Sequence, residues 1–537
     1  MTQHVEQPRR GKKKRVAKAQ PFFKTRRLPL LILCFLFATA FCLRLYGIDN
    51  PPLDANITRQ YHSALLARGF YEWLLVGELE TYPQDGILEP PVLELVASFA
   101  YHIAGGEYLW IPRLLSTIFW MIGGVFLYLI AKRVVSPNAA LFSVFSYLFV
   151  PWSIFTSRAF MPDPLMVMLL LSSVLALLRY HEQPSTRRLL IAAVASSLAV
   201  FVKPVMCLFQ IFGAFVSLAV YRQGVRRSLT SSHVLGFMVL SVLPTALYYL
   251  YGTFVAGFLQ TTNTFTYRIV PHLLLEATFW VGWGETIAKV VGYSALAGAL
   301  LGVLLLRRGV PRALMVGLWG GYLLFGLVFT THISTHDYYS LQLIPVIALS
   351  LGPIWELVTS RPHWAVSSTR TGRGGLRKYT WGVVPALLVS ALILGVVVEN
   401  RQTILKIVEQ ERYAEERWAP RIATYQEIGQ VVNHSRHTLV LVHWDYGNSL
   451  AYHGRLAKKA WPPPAQLQVE ERLGRGRRSV EKRFDALSSE HPPEYFIITK
   501  NWYWDAEYQD LRGFLTKNFT LMAQGDDYVV FDLRDKG

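Results

Sequence analysis

The feature that most constrains this chain is a series of long apolar segments, most of them near the length of about 20 residues with which a helix crosses a bilayer. Charged residues make up only 17% of the 537 residues, and the mean hydropathy is +0.27. A soluble domain carries roughly 25% charged residues. These features exclude a soluble enzyme, a disordered chain and a protein with a single membrane anchor. They predict a mainly α-helical, polytopic membrane protein.

Eleven apolar segments are predicted to form transmembrane helices. They lie at about 28–46, 110–131, 138–157, 164–179, 189–202, 205–221, 233–252, 286–306, 313–330, 340–359 and 380–398. If the N-terminal tail is cytoplasmic, the basic clusters of the later loops fall on the same side, as the positive-inside rule requires. The apolar segment 90–106 is short and contains Glu94. We predict that it lies on or dips into the outer leaflet, because an additional span here would place those clusters outside.

The two ends of the chain differ in composition from the apolar region, which we assign to a transmembrane domain over 28–398. The tail, 1–27, is strongly basic, and the whole chain has a net charge of +18. A basic tail directly before an apolar segment sets topology and contacts anionic lipids. Nucleic-acid binding is the alternative, but no basic motif with interleaved aromatic residues follows. Residues 399–537 alternate helical stretches with short apolar strands at about 437–443, 494–499, 518–523 and 527–533, which predicts a small C-terminal extracytoplasmic α/β domain.

The first predicted external loop, 47–109, contains several polar residues of the types that bind phosphate or move protons. They are Asp54, Arg59, Gln60 and Glu89. The pattern from Ile57 to Phe70 fits an amphipathic helix at the membrane interface. The alternative is a solvated loop whose helix lies on the membrane and has no chemical role.

Two further ionisable residues lie at the predicted external ends of spans. Asp163 follows the sequence SRAFMP; an ionisable group at this depth indicates function, although Asp is also a favoured helix N-cap. Lys203 lies between two apolar segments without an acid nearby in sequence. A phosphate or a carboxylate would satisfy its charge, or its side chain extends to the interface.

The sequence THISTHDYY, 331–339, forms a dense polar cluster between two spans. It contains His332, His336, Tyr338 and Tyr339. The two histidines are four residues apart, which would suit a metal if the segment were helical, but we expect a loop. Carboxylates, cations and phenols thus meet on one predicted face, which suits chemistry on a lipid-borne, phosphate-containing substrate.

Taken in order, these motifs resemble those of the GT-C membrane glycosyltransferases. The similarity is to the dolichyl-phosphate-mannose–protein mannosyltransferases and the bacterial aminoarabinose transferases. It rests on the basic tail, the acidic first loop with its Arg-containing helix, a Pro-Pro step, and the sequences SRAFMPD, KP and HDYY, over about 28–360. The resemblance implies a bacterial inner-membrane enzyme with an extracytoplasmic active site. It would transfer a sugar, with inversion, from a polyprenyl-phosphate donor to a lipid, glycan or protein acceptor.

The resemblance also implies roles for individual residues. Asp54 would be the general base, and Asp163 would lie near the acceptor or a metal. The substrate site would contain Arg59, Gln60, Glu89, Lys203, His336, Tyr338 and Tyr339. Relatives often have Lys before the Pro-Pro step, where this chain has Glu89, so Lys203 or Arg68 is expected to replace that phosphate contact. Many relatives also have Glu where Ala55 follows the aspartate. Dependence on a divalent metal ion is left open.

Three other functions remain open at this stage. A ligase or polymerase of lipid-linked glycans would need a similar external site. A transporter or flippase would be expected to carry charged residues at mid-membrane depth, whereas those of this chain lie at the ends of spans. A sensor with an external ligand-binding domain would leave Asp54 and the HDYY sequence unexplained.

Overall fold

The computed structural model describes most of the chain. The described residues are 27–76, 87–259, 268–359, 375–442, 445–463, 467, 479–489, 491–499 and 508–536. The predicted basic tail, apart from Arg27, lies outside them. The boundaries of the three predicted domains stay predictions.

In the described residues up to 431, the regular secondary structure is helical apart from one isolated β-bridge between Ile87 and Leu259. Its α-helices are α1 (Arg27–Leu45), α2 (Ile57–Val76), α3 (Val92–Ala104), α4 (Trp110–Val134), α5 (Pro137–Phe149), α6 (Pro151–Thr156), α7 (Asp163–Glu182), α8 (Thr186–Val202), α9 (Pro204–Gln223), α10 (Val225–Thr230), α11 (Ser232–Phe254), α12 (Ala277–Val291), α13 (Tyr293–Leu305), α14 (Val310–Val328), α15 (Thr330–Thr335), α16 (Leu343–Thr359), α17 (Gly375–Glu399), α18 (Arg401–Val408), α19 (Gln410–Tyr413) and α20 (Ala419–Val431). Short 3₁₀-helices span Pro271–Leu275 and Asp337–Ser340, and one π-helical turn spans Ala414–Trp418.

Local sequence explains where several of these helices begin and end. The side chains of Ser136 and Ser185 cap α5 and α8 by accepting backbone N–H bonds at 3.2 and 3.3 Å. Proline occupies the first turn of α5, α6, α7 and α9, where its missing N–H costs nothing. Helix α3 ends at Gly105, which adopts the left-handed conformation with φ 71°.

Within the described residues, seven helical segments are long and apolar enough to cross a membrane. They are α1, α4, α7, α9, α11, α14 and Asp337–Thr359, which includes α16. Two bent pairs each qualify as one further span: α12 with α13, and Val384–Glu399 with α18. All eleven segments predicted as spans contain helix, and the chain is a multi-pass membrane protein. Helix α3, in the segment predicted to lie in the outer leaflet, has only 13 residues.

Two of the predicted spans are interrupted. The segment predicted at 138–157 forms two helices, with a break before Pro151, because proline cannot continue the helical hydrogen-bond ladder. The segment predicted at 286–306 belongs to α12 and α13, which meet at an angle of 91°. Gly292 lies at this bend with φ 85°, a conformation that glycine adopts without steric cost. The apolar sequence continues through Gly292, so hydropathy does not reveal the bend.

The C-terminal part of the chain contains a five-stranded sheet with strand order β2-β1-β3-β5-β4. The strands are β1 (Thr438–Leu441), β2 (Lys458–Ala460), β3 (Tyr495–Thr499), β4 (Phe519–Gln524) and β5 (Tyr528–Lys536), and the helices between them are α21 (Asn448–Gly454), α22 (Val480–Ser488) and α23 (Gln509–Asn518). Strands β2, β1 and β3 are parallel, and β5 and β4 add antiparallel strands. Apolar side chains cover both faces of the sheet, so this part has the α/β structure that the sequence predicts.

Candidate active site

The predicted site residues lie at the end of the helical bundle where α7 and α9 begin. The first loop and α2 contribute the residues from Asp54 to Gln60, and Glu89 precedes α3. Asp163 and Lys203 stand at the starts of α7 and α9, and the tyrosines belong to the 3₁₀-helix Asp337–Ser340. These side chains form two groups with different chemistry.

The first group, which we call the Asp54 cluster, consists of Asp54, Gln60, Arg113, Arg158 and Gln410. Asp54 Oδ2 accepts from Arg113 Nη2 at 2.6 Å and from Arg158 Nη2 at 3.0 Å. Its Oδ1 accepts from Gln60 Nε2 at 3.1 Å and from the Ala55 N–H at 2.9 Å. The Asp54 side chain is only 1% exposed. Burial works to raise the pKa of Asp54, but Arg113 and Arg158 outweigh it, and the pKa lies below its usual value.

The Asp54 cluster connects distant parts of the chain. Arg158 also donates to Gln410 Oε1 at 2.6 Å, and Gln410 Nε2 donates to the carbonyl of Tyr46 at 2.8 Å. Gln60 Oε1 accepts from the Phe160 N–H at 2.9 Å. The cluster thus holds the first loop against the SRAFMPD turn and against α19.

The second group, the Lys203 cluster, consists of Arg59, Glu89, Asp163, Lys203, Tyr338 and Tyr339. Lys203 Nζ donates to both carboxylate oxygens of Asp163 at 2.7 Å, and both side chains are almost fully buried. The same ammonium lies 4.9 Å from the ring centre of Tyr338 and 5.7 Å from that of Tyr339. A carboxylate 40 positions away in sequence therefore pairs with Lys203, where the sequence shows no local acid.

Arg59 and Glu89 form the other ion pair of the Lys203 cluster. Arg59 Nη2 donates to Glu89 Oε2 at 2.7 Å, and the side chains are 14% and 13% exposed. Burial opposes the charge of Arg59, but Glu89 and nearby groups leave its pKa raised. Burial also works to raise the pKa of Glu89, but Lys203, Arg59 and Arg268 outweigh it and leave that pKa lowered. Among the described residues, buried Arg59 Nε has no hydrogen-bond partner, so it remains free to donate to a ligand.

The two predicted histidines lie beside the tyrosines of the Lys203 cluster. The rings of His332 and His336 are stacked with centroids 5.0 Å apart, and His336 makes an edge contact with Tyr338. Burial and the neighbouring His336 lower the pKa of His332 to about 3, and burial also lowers the pKa of His336. Both rings are therefore neutral near pH 7. Within the described residues, no three His, Cys, Asp or Glu side chains are grouped so that they could hold a metal ion.

Arg68, one of the two expected replacements for a phosphate contact, lies outside both clusters. Its guanidinium bonds to Glu107 at 3.0 Å and to the carbonyl of Tyr452 at 2.8 Å, and it stacks 3.8 Å from the Tyr452 ring centre. It therefore holds α21 against α2.

Sequence reasoning did not single out Arg113 and Gln410 of the Asp54 cluster. It also did not single out Arg268, which belongs to neither cluster but lowers the pKa of Glu89. Arg113 lies inside an apolar segment, and an ionisable residue within a span indicates function. The sequence therefore contained a signal from which Arg113 could have been predicted as a site residue. Arg268 follows a polar stretch of sequence and Gln410 lies in a polar helix, and neither position is unusual in sequence.

Comparisons with known proteins agree with this architecture. Residues 88–251 match the family described as dolichyl-phosphate-mannose–protein mannosyltransferase. ArnT from Cupriavidus metallidurans, solved bound to undecaprenyl phosphate, matches with a TM-score of 0.58 and 15% identity over 93% of this chain and 97% of that chain. The apo form of the same ArnT matches with a TM-score of 0.55 and 14% identity over 94% of this chain and 98% of that chain. The apo oligosaccharyltransferase of Archaeoglobus fulgidus matches with a TM-score of 0.51 and 13% identity over 89% of this chain and 70% of that chain. No curated protein sequence matches significantly.

The chain therefore has the fold of the GT-C membrane glycosyltransferases, as the sequence motifs predict. It resembles the protein mannosyltransferases in the matched segment and ArnT over almost its whole length. The matched segment contains Glu89, Asp163 and Lys203 of the Lys203 cluster, and Arg113 and Arg158 of the Asp54 cluster. At 13–15% identity the likeness to the solved structures concerns the fold.

Proposed function

We propose that this protein transfers a sugar from a polyprenyl-phosphate donor to a lipid, glycan or protein acceptor at the Lys203 cluster. One observation carries the proposal: two cations, two phenols and two carboxylates meet at one end of a membrane-spanning bundle. Cations and hydroxyl groups bind phosphate, and a carboxylate can accept a proton from the acceptor. The lipid donor is also supported by ArnT of the same fold, which was solved with undecaprenyl phosphate.

The donor phosphate is assigned to Arg59, Lys203 and the two tyrosines. Arg59 has a buried N–H without a partner among the described residues, and Glu89 fixes the position of its guanidinium. The ammonium of Lys203 donates to both oxygens of Asp163 and neutralises that carboxylate. Its remaining N–H group can donate to the phosphate, and it lies near the rings of both tyrosines. A phosphate at this point would receive charge-assisted hydrogen bonds in a site that excludes most water.

The resemblance assigns the general base to Asp54, but the contacts of Asp54 favour a positioning role. Its carboxylate accepts four hydrogen bonds through both oxygens, two of them from buried guanidinium groups, so it has little capacity left to accept a proton from an acceptor. We propose Glu89 as the base instead, because it is more exposed than Asp54 and Asp163. Its Oε2 accepts from Arg59, and among the described residues no hydrogen bond occupies Oε1, which can therefore face the acceptor.

The proposed reaction is a single displacement. The acceptor oxygen forms a bond with the anomeric carbon while the bond from that carbon to the phosphate oxygen breaks. Glu89 accepts the proton of the acceptor, and polyprenyl phosphate leaves with the bonding electron pair, stabilised by Arg59 and Lys203. Attack opposite the leaving phosphate inverts the anomeric configuration.

Mass spectrometry of the lipids and glycans of the host, with and without the gene, tests this function. Loss of one glycosylated product and accumulation of its polyprenyl-phosphate sugar are expected, and Glu89→Gln should reproduce both changes. If the gene instead changed only the side of the membrane on which a lipid-linked sugar is found, the protein would be a flippase. If neither changed, the glycosyltransferase proposal would be wrong.

A further inference from the structure

We propose that a groove at the opposite end of the bundle binds an anionic phospholipid. The groove lies over α7, between α4 and α8, and encloses about 610 Å³. This volume is typical of ligand-sized cavities, which range over about 300–1,000 Å³. Helix α7 begins at Asp163 in the Lys203 cluster, lines the groove from Ser172 onward and reaches its basic end at Arg179, 16 residues after Asp163. At a rise of about 1.5 Å per residue, the two sites are roughly 24 Å apart along the helix.

The groove has a cationic rim at its end farther from the candidate active site. Arg179, Arg187 and Arg188 line this rim together with the hydroxyl of Ser185. Arg188 Nη1 donates to the carbonyls of Arg179 and Gln183 at 3.1 and 3.2 Å, which orients its guanidinium at the rim.

The charge of this rim is not neutralised within the part of the chain that the structure describes. No ion pair joins a described carboxylate to any of the three arginines, and the nearby Glu182 pairs with Arg133 at 3.6 Å. Three positive charges at a bilayer surface attract the anionic headgroups of lipids. The rim is therefore complementary to a phosphate headgroup.

The inner part of the groove is apolar and open to the bilayer. Phe126, Leu175, Ile191 and Ala195 line it below the arginines. Exposed apolar side chains flank it on both sides, including Val125 of α4 and Val194 of α8. An acyl chain can therefore enter sideways from the membrane and lie along α7 while its headgroup reaches the rim. A free phosphate would use the rim but leave the apolar wall uncovered, so we assign the groove to a phospholipid.

Native mass spectrometry of the full-length protein, titrated with phosphatidylglycerol or phosphatidylcholine in detergent, tests this assignment. Phosphatidylglycerol should bind more tightly, and Arg187→Ala combined with Arg188→Ala should weaken its binding by about tenfold or more. Ile191→Trp should block the groove and reduce binding without changing any charge. The matched control is Arg226→Ala with Arg227→Ala, because these arginines are exposed on α10 and do not line the groove.

Four results would overturn the assignment. The first is equal binding of the two lipids by the wild-type protein. The second is an equal loss of binding in the control and in the rim variant, which would indicate a general charge effect. The third is full displacement of phosphatidylglycerol by millimolar inorganic phosphate, which would identify the site as one for a soluble anion. Wild-type binding by Ile191→Trp would likewise exclude the groove.

Discussion

Among individual residues, each ion pair of the candidate site joins side chains that lie far apart in sequence. The polar residues themselves were predictable, because ionisable groups at the ends of spans are rare. Their partners were not. Lys203 has no acid near it in sequence and pairs with Asp163, and Asp54 pairs with Arg113 and Arg158. Such pairings depend on how the helices pack, which local patterns do not encode.

The Asp54 cluster makes a specific prediction about stability. Asp54→Asn should abolish transfer and also lower the free energy of unfolding by about 3–5 kcal/mol, because it leaves two buried guanidinium groups without a counter-charge. Glu89→Gln should reduce the transfer rate by about 10²–10⁴-fold with a smaller effect on stability, since its partner Arg59 is partly exposed. Thermal unfolding in detergent and a transfer assay measure the two effects. Loss of transfer with wild-type stability in Asp54→Asn would return the base role to Asp54.

Arg59 should dominate binding of the donor phosphate. Charge-assisted hydrogen bonds contribute roughly 1.5–3 kcal/mol each, so Arg59→Ala should weaken binding of undecaprenyl phosphate by about 10–100-fold. Arg59→Lys should recover only part of this loss, because lysine lacks the guanidinium fork. A lipid-binding titration of the purified protein measures both. Arg227→Ala, an equally basic change on α10, serves as the control, and an equal loss there would exclude a specific site.

The rate of transfer should not change with pH through protonation of His332 or His336. Burial lowers the pKa of His332 to about 3 and also lowers the pKa of His336, so both rings are neutral near pH 7. Glu89 must be deprotonated to act as a base, and Lys203, Arg59 and Arg268 outweigh burial and hold its pKa below the usual value for glutamate. The rate should therefore fall only at an acidic pH below the ordinary titration range of glutamate. A rate profile with an inflection near pH 6.5 that His332→Gln removes would contradict this.

At the element scale, hydropathy located the helices but not their interruptions. The eleven apolar segments contain helix because each must satisfy its backbone hydrogen bonds internally in lipid. The bend at Gly292 and the short strand β2 were missed, since the first lies within continuous apolar sequence and the second has only three residues. Strands β1, β3, β4 and β5 were predicted because their apolar residues are bounded by polar turns.

The contact between α9 and α14 offers a test at this scale. Gly213 and Gly321 face the partner helix, and a Cβ added at Gly317 would meet the backbone carbonyl of Gly213. Gly317→Leu should therefore force the helices apart and lower the unfolding temperature by several degrees, because small residues permit close approach in membranes. Gly320→Leu is the matched control, since a Cβ there meets nothing within 4 Å. Equal effects in both variants would show that the close approach does not stabilise the bundle.

At the scale of the whole molecule, the α/β domain lies at the same end of the bundle as the candidate active site. Tyr61 Oη and His453 Nε2 are 2.7 Å apart, and Asn448 Nδ2 donates to the carbonyl of Thr58 at 3.2 Å. These contacts join α21 to α2, the helix that carries Arg59 and Gln60. The sequence predicted both the domain and the helix, but nothing in either segment indicates that they meet.

This arrangement makes a prediction about membrane sidedness. Helix α8 runs from the cationic rim of the lipid groove, at Arg187, to Lys203 in the candidate site, about 24 Å along its axis. The α/β domain contacts α2 beside that site, so Arg187 and Lys517 of α23 should lie on opposite sides of the bilayer. The basic loops predict that Arg187 is cytoplasmic.

Cysteines introduced at Arg187 and Lys517, in a background without the exposed Cys34 and Cys42, can be labelled with a membrane-impermeant maleimide. Lys517→Cys should react in intact cells and Arg187→Cys only after permeabilisation. Reaction of both in intact cells would mean that α8 does not cross the membrane, and the reverse pattern would place the candidate site in the cytoplasm.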